Sequence, residues 1–367
     1  MKVLVAAGGT GGHFYPGLAV ARSLIEAGHE VTFLVREGDY VLSLLEREKI
    51  PFVTMKAAGF KRKLSPSNIT AVGKIAFGLG QAMGIIRRVR PDAVLVMGGY
   101  LSFAPTVAAR LKGIPVVLHE QNAVPGLANR MISRFVQRIA VSFDDSRAVF
   151  GPKAVLTGNP VRLEFRRLPG RDDAVRHWSL NPQKLTVLVF GGSLGAQRLN
   201  TLVVESLPSL VGHDAQWQFL HFTGKADEAR IKSAYALHPF AHHVDGYCHE
   251  MANAYAAADF VVCRAGASTL AELIAVRRPA LLVPYPLATG NHQTKNAKSL
   301  VDAGAAVLRE QRNLGNGEMG RFLDRQMHDR ARLQTMSEAY GKLGVDPFAA
   351  AERIRDLVVE AGGKNAA

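Results

Sequence analysis

The stretch KVLVAAGGTGGHFYPGLAVARSLIEAG (2–28) sets the strongest limit on what this chain can become. A short, wholly apolar run passes through a glycine cluster into a segment with apolar residues at three- and four-residue spacing. That is the grammar of strand, tight turn and helix. A strand apolar at every position needs cover on both faces, which helices flanking a parallel sheet provide. The grammar repeats in EVTFLV (30–35), PDAVLVMGG (91–99), IPVVLHEQN (114–122) and RIAVSF (138–143). It restarts at LTVLVFGGSLGAQRLNTLVVESL (185–207), where GGSLGA mirrors GGTGGH. WQFLHFTG (217–224), ADFVVCRAGASTLAELIAV (258–276) and PALLVPYPLATGNHQTKNAKSLVDAG (279–304) continue it. The expected fold class is α/β, with two doubly wound, Rossmann-like domains facing each other across a cleft. Their expected bounds are 1–160 and 161–344, with a Pro-, Gly- and Arg-rich linker around 157–173. An amphipathic helix within about 345–367 is available to pack back on the first domain, and 367 residues suit two cores.

Ligands of open parallel sheets sit at the carboxyl ends of the strands. The residues that follow each apolar run are therefore the candidates. A glycine turn feeding a helix presents N–H groups and the positive end of the helix dipole, which suits phosphate. Neither turn spells G-x-G-x-x-G, and no P-loop occurs. His13, directly after the first cluster, can take a proton near neutral pH or simply pack the turn. Thr269 and Glu272 share a helix face. A carboxylate there can accept two ribose hydroxyls or serve a capping box. His292, Gln293 and Asn296 offer hydrogen bonds suited to a sugar. No D-x-D occurs, so no acidic clamp for a metal–diphosphate is expected; helix N-termini and Arg162 would meet phosphate charge instead.

Forty-five basic against 31 acidic residues give a formal charge of +14. Between Lys56 and Arg138 thirteen Lys and Arg face only Asp92 and Glu120. This favours an anionic partner: nucleic acid, a phosphorylated substrate or acidic lipid. Nucleic acid is the weaker reading, because no aromatic stripe interleaves the charges. Cys248 and Cys263 form no CxxC, which fits a reducing compartment and argues against a disulfide framework or a zinc site. No signal peptide or membrane-spanning run is visible. NITAVGKIAFGLGQAMGIIRRVR (68–90) has an apolar face rimmed by cations. Lys74, Ile75, Leu79 and Arg87 are its candidate membrane patch, with core packing as the competing role.

GGTGGHxxPGLAVA, MGGY, HEQNxxPGLANR, GNPVR, GGSLGAQRLN, CRAGASTLAEL and HQTKNA occur in the order and at about the spacing of the MurG family, which the chain resembles along nearly its whole length. The resemblance implies the GT-B fold and an inverting, metal-independent hexosyltransferase without cofactor. The implied reaction moves N-acetylglucosamine from UDP-GlcNAc to the C4 hydroxyl of undecaprenyl-diphospho-MurNAc-pentapeptide (lipid I), giving lipid II and UDP for peptidoglycan. It implies a peripheral protein at the cytoplasmic face of the bacterial plasma membrane, on an anionic surface, with cell-wall or division proteins as further candidate partners. By motif, Arg162 and Ser193 would contact phosphate. Ala267, Ser268, Thr269, Leu270, Ala271 and Glu272 would hold uridine and ribose, and Cys248 would read uracil through its backbone. Gln293, with His292 beside it, would read the sugar hydroxyls. Thr10, Gly11, Gly12 and Asn122 would close on the donor sugar and acceptor. His13 would be the base, with Glu120 or a relay through it as the alternative. Cys248 and Phe103 depart from the family's usual residues, and 310–345 matches poorly. A UDP-GlcNAc 2-epimerase of the same architecture and a basic nucleic-acid-binding protein are the competing functions.

Overall fold

The structure is a computed structural model describing residues 1–39, 41–56 and 68–363; the side chains of 68–72, 74, 75 and 327 also lie outside the described set. The chain forms two compact units, 1–162 with 347–367, and 163–346. The first boundary thus falls after Arg162, so this arginine, expected in the second domain, belongs to the first unit.

The first unit holds a seven-stranded sheet: β1 (Lys2–Ala6), β2 (Glu30–Arg36), β3 (Phe52–Met55), β4 (Ala93–Val96), β5 (Val116–Glu120), β6 (Arg138–Val141) and β7 (Ala154–Leu156). Its order is β3-β2-β1-β4-β5-β6-β7, and every recorded pairing is parallel. The order reverses between β1 and β4, where such sheets open a crevice at the strand ends. The second unit holds six strands: β8 (Leu185–Phe190), β9 (Trp217–Phe222), β10 (Ala241–Asp245), β11 (Phe260–Cys263), β12 (Ala280–Leu282) and β13 (Ala306–Leu308). Their order, β10-β9-β8-β11-β12-β13, is also parallel and reverses between β8 and β11.

Helix Gly11–Glu26 turns Phe14, Leu18, Ala21 and Leu24 inward at helical spacing. It stops in a Schellman motif. His29 N–H donates to Leu24 O (3.0 Å) and Gly28 N–H to Ile25 O (2.9 Å), with Gly28 at φ +81°. Helix Ala349–Gly363 returns to the first unit, where Ala351, Ile354 and Val358 share a core with Val3, Val5 and Leu18. The segment 310–345, opaque in sequence, supplies helices Glu318–Met327 and Arg330–Ala339. Met319, Phe322, Leu323, Leu333 and Met336 of these helices complete the core over Val187, Val189 and Phe219. Each such burial is worth about 1.5–3 kcal/mol before entropy.

Helix Asn68–Val89 corrects the expected membrane face. Ala82, Ile85 and Ile86 are buried and Leu79 packs against the same core, because that stripe covers the sheet beside Val94 and Leu118. Leu79 is thus half-buried against the core, in the packing role that competed with the membrane patch. Arg87 and Arg88 are exposed, as is Phe77 at 57%. The side chains of Lys74 and Ile75 lie outside the described residues. No described helix is long and apolar enough to cross a membrane.

Two strand histidines are fully buried. Burial pushes His119 of β5 down to about 4 and His221 of β9 to about 3. His221 is held by Asn200 Oδ1 (3.1 Å) and the Tyr235 hydroxyl (3.2 Å). A lowered folded pKa means that the unfolded chain binds more protons between the two values. Stability is therefore full above pH 6.5 and falls as the pH drops toward 4 or 3. At pH 5 each histidine should cost about 2 kcal/mol. Both tryptophans, Trp178 and Trp217, lie in the second unit, so their fluorescence reports its unfolding. Urea midpoints should fall from pH 7 to pH 5, and His221→Gln should remove about 2 kcal/mol of that dependence. An unchanged slope in the variant would show that His221 titrates normally.

Candidate active site

The polar residues begin where the apolar strands end. After β1, Gly9 takes φ +82° and its N–H donates to Asp39 Oδ2 (2.7 Å), so this glycine serves the turn itself. Gly11 and Gly12 open the helix. Thr10 stands at the N-cap position, yet its side chain makes no cap bond. Its hydroxyl instead lies 2.9 Å from His13 Nδ1. The other face of the ring points to the turn after β4, where a Cβ on Gly99 would come 3.5 Å from His13 Nε2. Burial pushes His13 down to about 4, so the ring is neutral at pH 7.

That turn is fixed from below by a buried carboxylate. Glu120, 1% exposed at the end of β5, accepts from Asn122 N–H (2.9 Å), Gly126 N–H (3.2 Å) and Asn129 Nδ2 (2.8 Å). The Asn122 amide adds a longer bond of 3.4 Å. Asn129 Oδ1 then accepts from Gly99 N–H at 3.1 Å. Gly98, at φ +88°, leaves no room for a side chain, since a Cβ would stand 2.7 Å from Asn129 Nδ2. Burial raises the Glu120 pKa and the four hydrogen bonds pull it back. With both oxygens committed, Glu120 positions the Gly98–Gly99 turn and Asn122. Asn122 is further held where its carbonyl accepts from the Ser146 hydroxyl. Arg162 lays its guanidinium over the Tyr15 ring, 4.9 Å from the centroid, beside the first helix.

In the second unit Ser193 sits in the exposed turn after β8, ahead of helix Gln197–Leu210. Gly195 lets this turn cross the β9 loop, because a Cβ there would stand 2.1 Å from Thr223 O. Helix Ala267–Val276 follows β11 and, like the other two, has no side-chain cap. Ala267, Ser268 and Thr269 form its first turn and Leu270, Ala271 and Glu272 its second. Glu272 is thus too deep for a capping box. It accepts from the Tyr255 hydroxyl at 2.9 Å and is half-buried. Gln293 Oε1 accepts from Tyr285 N–H (2.8 Å), and His292 Nδ1 lies 2.9 Å from Thr289 O. Cys248 is buried in the loop after β10.

Sequence reasoning missed the residues that hold these loops. Arg264, 8% exposed, donates to Val283 O (3.0 Å), Pro284 O (3.1 Å) and Gln311 Oε1 (2.7 Å). It thereby ties the turn after β11 to the loop carrying Tyr285. Asn129 carries no chemical signal beyond its place in the PGLANR motif, and Tyr255 lies outside every quoted motif.

The family model of the glycosyltransferase family 28 N-terminal domain matches residues 3–141, and that of the C-terminal domain matches 186–353. A UDP-N-acetylglucosamine–N-acetylmuramyl-(pentapeptide) pyrophosphoryl-undecaprenol N-acetylglucosamine transferase of Myxococcus xanthus is 38% identical, over 100% of this chain and 95% of the relative. The chain belongs to the MurG family. Further relatives bearing the same name are 37–41% identical. The solved MurG of Acinetobacter baumannii superposes with a TM-score of 0.74 at 32% identity, covering 98% of this chain and 99% of that one. The UDP-GlcNAc 2-epimerase of Neisseria meningitidis reaches a TM-score of 0.70 at only 15% identity, over 98% and 100% of the two chains. That likeness concerns the fold alone, so MurG membership speaks for the transferase.

Proposed function

We propose that this chain moves N-acetylglucosamine from UDP-GlcNAc to the C4 hydroxyl of lipid I with inversion, and that His13 is the base. The observation carrying the base assignment is the hold on its ring: Nδ1 is engaged by Thr10 and Nε2 is turned toward the Gly98–Gly99 loop. With Nδ1–H donating to Thr10 Oγ1, Nε2 carries the lone pair. As the acceptor oxygen bonds to the anomeric carbon, its proton passes to Nε2. The bond from that carbon to the diphosphate oxygen breaks, and UDP leaves with the electron pair. A diphosphate nearby raises the lowered pKa of His13 by Coulomb attraction, toward the range where a base works best.

Leaving-group charge is met by helix N-termini that no side chain caps, after Ser193 and at Ala267–Thr269, together with Arg162. This reading needs no metal at the diphosphate. Glu272, steadied by Tyr255, would accept from the ribose hydroxyls, the Cys248 backbone would read uracil, and Gln293 and His292 would read the sugar. Gly11, Gly12 and Asn122 would approach the donor sugar and acceptor. We further place the protein peripherally on the anionic cytoplasmic face of the plasma membrane. Support comes from exposed Phe77, Arg87 and Arg88 on helix Asn68–Val89.

His13→Ala should lower turnover by about 10²–10⁴ with donor affinity nearly unchanged, read by mass analysis of lipid II formed from a lipid I analogue. Near-normal turnover would make His13 a packing residue. Glu272→Ala should weaken UDP-GlcNAc binding by about 1.5–3 kcal/mol in calorimetry while sparing the acceptor; an unchanged donor constant would sink the ribose assignment. The chain should sediment with vesicles containing anionic lipid and be released by salt, and Phe77→Ser should reduce the bound fraction. Indifference of the wild-type chain to such vesicles would remove the membrane reading.

A further inference from the structure

A second cluster of chemically competent side chains lies at the opposite edge of the second sheet from the candidate active site. His213 is in the turn before β9, at the N-terminal edge of the strands, whereas Ser193, Cys248 and the 267–272 helix follow strand C-termini. That turn is well defined. His213 N–H donates to Leu210 O (3.1 Å), and its carbonyl accepts from Gln216 and Trp217 N–H, both at 2.9 Å. Its ring stacks on Trp217 with centroids 5.1 Å apart and planes inclined by 20°. Asp324 and His328 stand four residues apart at the end of helix Glu318–Met327, and so on one face. Asp324 Oδ1 is 3.2 Å from His213 Nε2 and 3.2 Å from His328 Nδ1. The two imidazoles meet edge to face at 4.7 Å.

We propose that His213, Asp324 and His328 bind a divalent transition-metal ion of the zinc class. One ligand atom from each residue lies within 4.8 Å of the other two. Ligands around tetrahedral zinc stand roughly 3.4 Å apart, given bonds near 2.0–2.1 Å, so a small rotation of one ring closes the set. Two imidazoles with one carboxylate suit zinc, nickel or copper and not magnesium or calcium, which take oxygen ligands. Solvent reaches the cluster, since the side chains of Asp324 and His328 are 44% and 50% exposed. Water can therefore complete the coordination. Stacking on Trp217 orients the His213 ring, and His328 Nδ1 would exchange its contact with the Asp324 carbonyl oxygen, 2.7 Å away, for the ion. The bound ion would pin the turn before β9 to helix Glu318–Met327. Its place at the far strand ends makes it a structural brace without a part in transfer.

The full chain, stripped with EDTA and dialysed, should take up one zinc ion in a calorimetric titration with zinc chloride, and zinc should raise its unfolding temperature. Magnesium chloride should do neither. His328→Gln, at an exposed position, and Asp324→Asn should each weaken zinc binding about 10-fold or more and abolish the thermal shift. His213→Gln should do the same, but it also alters stacking on Trp217; the two helix variants carry the test if it destabilises the fold. Failure to take up zinc, or uptake with wild-type affinity by His328→Gln and Asp324→Asn, overturns the proposal and leaves a hydrogen-bonded His–Asp–His cluster.

Discussion

Burial of the strands on both faces governs the rest of the structure. β1, β4, β5 and β8 are buried at every position but Lys2, and Thr186 and His119 are the polar side chains buried in them before their last residues. Chemistry is thereby displaced to the strand ends, and most of all to the points where strand order reverses, between β1 and β4 and between β8 and β11. The helices that cover the sheets begin at those same ends and bring their N–H groups with them. In all three helices most concerned the usual capping side chain is missing or engaged elsewhere. Thr10 shows the choice most plainly: its hydroxyl serves the His13 ring and leaves the helix start to other partners.

Around this frame the polar residues divide into those that face outward and those that hold loops. Glu120 and Arg264 are the holders, each buried and each spending its charge on backbone and amide groups of neighbouring loops. Such groups are costly to bury unless they are fully hydrogen-bonded, and nearly every strong contact here is made. They thereby fix the loops beside His13 and Gln293, which stand in the first turns of their helices, and beside Asn122, which sits on a turn.

How far the sequence could be read follows from the range of each cause. Local causes were visible: the Gly28 stop, the apolar strands and the glycine turns needed only neighbouring residues. The amphipathic spacing of 68–90 revealed that one face is apolar but not what it meets, and the sheet beside Val94 claims Leu79. Glu120 reads in sequence as an alternative base, but its commitment to Asn129, Gly126 and Asn122 depends on how the β4 and β5 loops converge. The motif singles out Arg162, yet its place over Tyr15 comes only from tertiary structure. The 310–345 segment carried no motif, because its task is to cover a sheet and many apolar sequences can do that.

The return of helix Ala349–Gly363 to the first unit bears on the order in which the chain can fold during synthesis. Val3 and Val358 belong to one core, while 163–346 carries its own. The unit that begins first is thus finished last. The second unit can close while the first still exposes the strip that Ile354 and Val358 will cover. On the ribosome, the half bearing His13 would pass through a long half-built stage, with its apolar flank open to chaperones until helix Ala349–Gly363 emerges.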